Sequence, residues 1–192
     1  MTRLDRLIST LLFTCTIVCR ADIAVSPIDP VGKQINQAVS SIPVEFRPAG
    51  RDVAISSLPD VDMNVIAMMI GVPAPWAPKL LGIYFLRQKG HSPSIYVRQS
   101  LILRKDKYRL AATIWHEYAH WIWYEIMTAT ERDEYSKLWA QEAVHPSAYS
   151  CSNTCEGFAE SFRIYMDEPL IQLHVEWALI EKVRLRISGV RS

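Results

Sequence analysis

The sequence predicts an α+β domain, and three observations carry that reading. Segments rich in β-branched and aromatic residues gather before residue 105. Long segments of helical period follow it. Strands first and helices after is the pattern of an α+β domain, here a small antiparallel sheet followed by a buried helix and a C-terminal helical part. Size agrees: 192 residues, 49% apolar and 21% charged, suffice for one domain with a real core.

Arg3 and Arg6 precede an apolar run from Leu7 to Val18, and Cys19-Arg20-Ala21 offers small residues at the third and first positions before a cut. This reads as a secretory signal peptide over residues 1–21. The run is shorter than the roughly 20 apolar residues a membrane span needs, so no stable span is expected in the mature chain. A lipid on Cys19 is a competing reading of this end, with Val18 a poor residue before it. Export would leave the mature protein secreted or in the cell envelope. Residues 22–50 carry Pro27, Pro30, Pro43 and Pro48 with little periodicity and read as an extended lead-in or linker. The folded domain is then 51–192.

Asp52 to Ser56 reads as a short strand, and Asn64 to Ile70 as a short apolar segment. Val72-Pro73-Ala74-Pro75-Trp76-Ala77-Pro78 is a rigid loop. Gly82 to Gln88 and Ser94 to Ser100 form a hairpin across Lys89-Gly90-His91-Ser92-Pro93. After Asp106 the period changes, and Tyr108 to Met127 is apolar on nearly every face, as a buried central helix is. Thr130, ahead of Glu131 and Asp133, starts a helix that runs to about Glu142. His145-Pro146-Ser147 breaks it. Asn153 or Thr154 can cap a helix from about Cys155, and a last helix spans Leu170 to Leu185.

The net charge is +1, and losing Arg3, Arg6, Arg20 and Asp5 with a leader leaves 18 basic against 19 acidic side chains. Neither balance gives an electrostatic argument for nucleic acid. The chemistry lies instead in His116-Glu117-Tyr118-Ala119-His120. On a helix, residues i and i+4 share a face, so His116 and His120 can grip one Zn2+ ion. Glu117 between them would act as general base on a zinc-bound water. An unpaired carboxylate among Trp115, Ala119, Trp121 and Ile122 would be expensive, and a metal supplies the missing charge.

A catalytic zinc needs a third protein ligand and a position left for water. The residues after His120 are Trp121, Ile122, Trp123 and Tyr124, so the H-x-x-G-x-x-H extension is absent. Glu156 and Glu160 are again i and i+4, so one can ligate while the other orients a ligating histidine. Tyr149 can donate to an oxyanion formed when water attacks a carbonyl. His145, before Pro146 in a loop, is a rival donor or ligand; His91 and His174 read as structural or solvated. Trp115, Trp121, Trp123, Tyr124 and Trp139 read as core.

Tyr149 to Arg163, Y-S-C-S-N-T-C-E-G-F-A-E-S-F-R, resembles the second zinc motif of the gluzincin metallopeptidases related to anthrax-toxin lethal factor and the secreted Pro-Pro endopeptidases. The resemblance covers roughly residues 80–165. It implies a zincin-like metallopeptidase domain with Glu156 as third ligand, Glu160 behind the ligands and Tyr149 stabilising the transition state. Cys151 and Cys155 fall outside the family pattern. They are the even pair that remains after a leader is removed, and in an exported chain a disulfide between them is favoured.

The reading that follows is a secreted zinc endopeptidase acting on a peptide or protein substrate. In zincins an edge strand before the metal helix pairs with extended substrate, and Ser94 to Ser100 is the segment expected to do so. Two rivals stand beside it: a non-catalytic, metal-stabilised binding protein of the same fold, and a zinc hydrolase acting on a non-peptide cell-envelope substrate.

Overall fold

The computed structural model describes residues 30–48, 50–51, 53–88, 91–104, 106–141, 147, 149–167 and 175–189. The expected signal peptide, the Cys19 lipid site, His145 and His174 lie outside the described residues. The fold is mixed α+β and mostly helical, with one three-stranded sheet.

Helix α1, Pro30–Ser40, opens the described chain. From residue 30 onward this corrects the extended lead-in or linker expected over 22–50. Proline is well placed at a helix start, where its missing N–H costs nothing, and Val31, Ile35 and Ala38 recur at helical spacing. Ile35 and Ala38 are buried, as are Ile42 and Phe46 in the connection that follows, so this segment belongs to the core.

Strand β1, Ala54–Leu58, leads into helix α2, Asp60–Met69, which absorbs the apolar segment expected at 64–70. Strands β2, Gly82–Phe85, and β3, Ser94–Arg98, form the expected hairpin. Two corrections follow. The sheet is mixed, because β1 pairs parallel to β3 while β2 pairs antiparallel to it. The order is β1-β3-β2, so β3 is central and β2 is an edge. The strand expected to meet substrate, Ser94 to Ser100, is therefore covered on both sides.

Arg98, at the end of β3, is only 3% exposed. Its guanidinium donates to the carbonyls of Leu80 (2.8 Å) and Ala77 (2.8 Å) and to Asn64 Oδ1 (2.8 Å). A buried cation must be satisfied in this way. In doing so it braces the proline-rich loop that delivers the chain to β2.

Short helix α3, Gln99–Leu103, precedes α4, Lys107–Trp121, capped by Asp106 Oδ1 accepting from Arg109 N–H at 2.9 Å. α4 runs on into a π-helical turn, Ile122–Ile126. Helix α5, Ala129–Gln141, starts one turn position earlier than expected, because Thr128 and Glu131 form a reciprocal capping box. Helix α6, Thr154–Asp167, is capped by Asn153, whose Oδ1 accepts from Glu156 N–H at 2.9 Å. Helix α7, Val175–Ile187, is the last. No helix of the described residues is long and apolar enough to cross a membrane.

The core lies where α4, α6 and α7 meet the sheet and α1. Trp121, Tyr135, Phe46, Phe158 and Phe162 are its largest fully buried side chains. Their rings meet edge to face, with Phe46 and Phe162 at 4.9 Å and Tyr135 and Phe158 at 5.3 Å. Trp115, Trp121 and Trp123 are buried as expected, while Tyr124 is half exposed. α4 packs more extensively on α6 than on any other element, and that contact brings the two motifs together.

Candidate metal centre

His116 and His120 stand one turn apart on α4, with ring centroids 4.9 Å from each other. Glu156, in the first turn of α6, reaches both. Its Oε2 lies 3.1 Å from His116 Nε2 and 3.4 Å from His120 Nε2. The ligand atoms of His116, His120 and Glu156 all lie within 4.8 Å of one another, and this group can hold a metal ion.

The other ring nitrogens are engaged as a metal site requires. Glu160, one turn after Glu156, accepts from His116 Nδ1–H at 3.0 Å and is gripped by Arg163 at 3.1 and 3.2 Å. A carboxylate on Nδ1 fixes the tautomer that leaves Nε2 free to ligate. His120 Nδ1 meets Cys155 Sγ at 3.1 Å. Two imidazoles and one carboxylate converging on a point, each imidazole oriented from behind, is a donor set that suits a borderline divalent cation.

The electrostatics of the ion-free protein follow from these contacts. Burial alone would lower the His116 pKa, but the carboxylates of Glu156 and Glu160 raise it to about 9. His120 is likewise raised well above its ordinary value against the pull of burial, by Cys155 and Glu156. Burial would raise Glu156 and Glu160, yet each is held down to about 2, chiefly by its histidine hydrogen bonds. Protons thus occupy the positions where a cation would neutralise the same carboxylates.

Glu117, next to His116, sits against β2 and lines the cleft beside the trio. It is 7% exposed, and burial pushes its carboxyl up. The Tyr84 N–H on β2 faces it and works against that rise. The strand approaches so closely that a Cβ on Gly82 would stand 2.6 Å from Glu117 Cγ and 2.8 Å from Thr113 Cγ2. Only glycine fits there.

Tyr149 comes to the site from the turn before α6. It is 53% exposed, but its ring lies 5.8 Å from that of His116, and its hydroxyl end lies near Glu156. Burial of the hydroxyl end and the nearby carboxylates raise the phenol pKa.

Cys151 and Cys155 are free thiols, which corrects the expected disulfide. Cys155 faces His120 from the first turn of α6, whereas Cys151 lies in the preceding turn with its thiol toward the Ser147 carbonyl at 3.6 Å. His91 sits at an exposed bridge in the hairpin connection, away from the trio.

No family model, curated protein or solved structure matches the chain.

The structure thus brings together His116, His120, Glu156, Glu160 and Glu117, legible from motif spacing, and Tyr149, expected from the family resemblance. It adds four groups that spacing did not reveal. Cys155 is the partner of His120, and Tyr124 lies beside Cys155 in turn. Gly82 and Tyr84 set the wall over Glu117. Cys155 carried one available signal, its place next to Glu156 and one helical turn behind Cys151; Gly82 and Tyr84 carried none without the strand order.

A cleft runs past the centre on both sides. A cavity of about 580 Å³ lies between the proline-rich loop, α4 and Arg163, and one of about 370 Å³ lies beyond β2 toward Tyr124. His116, Glu117, Gly82 and Tyr149 line both.

Proposed function

We propose that the chain is an exported zinc-dependent endopeptidase with a zincin-like catalytic domain. The observation that carries this reading is the convergence of His116 Nε2 and His120 Nε2 on Glu156 Oε2, at 3.1 and 3.4 Å, beside a buried acid that is no part of the trio. A merely structural metal site does not need Glu117, and a carboxyl buried in an apolar wall is costly unless it has work to do.

His116, His120 and Glu156 would hold the ion. Bound there, zinc supplies Lewis acidity, polarising a carbonyl and lowering the pKa of a water. The remaining steps belong to the chain's own residues. Glu117 takes a proton from water at its carboxylate and delivers it to the leaving amine. Its raised pKa suits both halves of that transfer. Tyr149 donates its phenolic proton in a hydrogen bond to the oxygen that gains charge as the carbonyl is attacked. Glu160 and Cys155 keep the two imidazoles in orientation.

Extended peptide backbone would run along β2 in place of the β3 segment first expected. Arg98 N–H bonds the Leu81 carbonyl, so Leu81 and Arg98 form a hydrogen-bonded pair of the antiparallel ladder. By alternation, the backbone groups of Gly82 and Tyr84 face away from β3 toward the cleft. Tyr84 N–H faces Glu117, leaving the Gly82 groups and the Tyr84 carbonyl for an added strand.

The test is Glu117→Gln in the zinc-loaded protein, read against a proteome-derived peptide library by mass spectrometry. Wild type is expected to cleave and to stop with a chelator. The variant should lose at least about 100-fold in turnover while keeping one zinc per chain. Undiminished cleavage by the variant would remove Glu117 from the mechanism, and no cleavage by wild type would remove the peptidase reading.

A further inference from the structure

The larger cavity has a charge pattern that the hydrolytic chemistry leaves unused. Its volume of about 580 Å³ is that of a small-ligand site. Its walls are largely apolar, from Val72, Leu80, Leu81 and Ala112. Three cations also line it: Lys79, Arg109 and Arg163. Arg163 is committed to Glu160 through two hydrogen bonds. Lys79 and Arg109 are exposed, and neither pairs with a carboxylate among the described residues. The Lys79 ammonium is instead held 3.9 Å over the ring of Trp76, itself a wall of the cavity.

The acids of the same cavity are all engaged at its inner end. Glu160 serves His116 and Arg163. Glu117 is buried against Tyr84 N–H. The geometry therefore leaves an apolar recess that opens directly on the metal centre, with two uncompensated positive charges at its solvent side. A substrate group that fills it gains most if an apolar stem ends in a negative charge.

We propose that this cavity is a specificity subsite for a carboxylate, borne by the substrate residue next to the bond that is cut, with Lys79 and Arg109 as the selecting residues. The subsite deepens the peptidase reading and rests on it for the nature of the substrate. The carboxylate can belong to a Glu or Asp side chain, as the endopeptidase reading has it, or to a free C-terminus, in which case the same hydrolysis removes a single C-terminal residue. An extended peptide lying on β2 would deliver either to the same two cations.

Binding of zinc-directed probes to the purified, zinc-loaded chain tests this without requiring turnover. The probes are peptidyl hydroxamates ending in Glu or Gln, and succinyl hydroxamates carrying Glu or Gln on the opposite side, the latter made as C-terminal acids and as amides. Titration calorimetry gives the affinity ratio within each pair. In one direction the charged member should bind about three- to tenfold tighter, as expected of partly exposed ion pairs. A preference within the Glu/Gln pair assigns the side chain as the source, and one within the acid/amide pair assigns the C-terminus. Lys79→Gln with Arg109→Gln should bring the ratio to about one, and Lys79→Glu with Arg109→Glu should invert it.

Equal affinities in both directions would overturn the subsite, and so would a preference that survives both double variants. Failure of the peptidase reading would look different. The charge preference would persist in binding while the peptide library stayed intact.

Discussion

Glu156 and Glu160 are one helical turn apart on the same face of α6, yet the fold gives them different work. Glu156 Oε2 meets the Nε2 atoms of both histidines, whereas Glu160 meets only the Nδ1 of His116. Glu160→Ala should therefore weaken zinc binding about 10- to 100-fold, the usual cost of losing an outer-sphere partner. Glu156→Ala should cost more, because it removes a ligand. Competition with a chromophoric chelator measures both, and the reverse order would make Glu160 the ligand. The histidines, Glu117 and the two glutamates were legible at this scale because i, i+4 spacing on a helix has one geometric meaning. Which of the two glutamates ligates was open in spacing alone, since it depends on where along α4 the first turn of α6 docks. The Cys155 thiol was misread for a related reason. Two cysteines four apart suit a local bridge, but Cys155 belongs to the first turn of α6 and is drawn onto His120 instead.

At the scale of elements, α6 is held in register by its neighbours. Gly157 lets α5 come so close that a Cβ there would stand 2.5 Å from Trp139 Cδ1. The Trp139 indole donates to the Ser150 carbonyl at 3.0 Å, next to Tyr149. α5 is itself fixed by Glu131, which is 4% exposed, accepts from Thr128 N–H at 2.7 Å and pairs with Arg186 of α7 at 2.7 and 2.9 Å. Burial would raise the Glu131 pKa, but Arg186 and Thr128 win and hold it below its ordinary value of 4.5. A depressed carboxyl stabilises the fold above its unfolded pKa and loses that contribution as the pH falls through the folded value. Glu131→Gln should thus cost about 1.5–3 kcal/mol at pH 7, the range for hydrogen bonds to a charged group. The gap from wild type should shrink as the pH drops below about 4.5. Chemical denaturation at pH 7 and at pH 3.5 reads this, and an undiminished gap in acid would mean that the Arg186 pair contributes nothing. Helices were legible wherever the period was long, as in α4. Two errors came from reading elements one at a time: prolines masked α1, and the hairpin gave no sign that β1 would pair beyond β3 and leave β2 as the edge.

At the scale of the molecule, the sheet and α4 form one wall of the cleft, and α6 with the turn before it forms the other. The apolar core joins the two walls, with Ile114, Trp115 and Tyr118 of α4 in one cluster with Phe158 and Phe162 of α6, and buried polar contacts fasten each wall internally. Glu176 of α7 is fully buried and accepts from Tyr135 of α5 at 2.9 Å and from Ser161 of α6. Arg98 does the same for the loop over the cavity. Nothing in their sequence neighbourhood marks either as buried, because burial is set by the packing of distant elements and not by neighbours in the chain. These networks brace each wall from within, while the packing of α4 on α6 places both helices where they can share one ion. That sharing is most directly tested by zinc K-edge X-ray absorption on the purified, zinc-loaded protein. The expected spectrum has only nitrogen and oxygen neighbours at about 2.0–2.1 Å, with the outer scattering of two imidazoles. A sulfur neighbour at about 2.3 Å, drawn from Cys155, or the signature of a single imidazole, would contradict it.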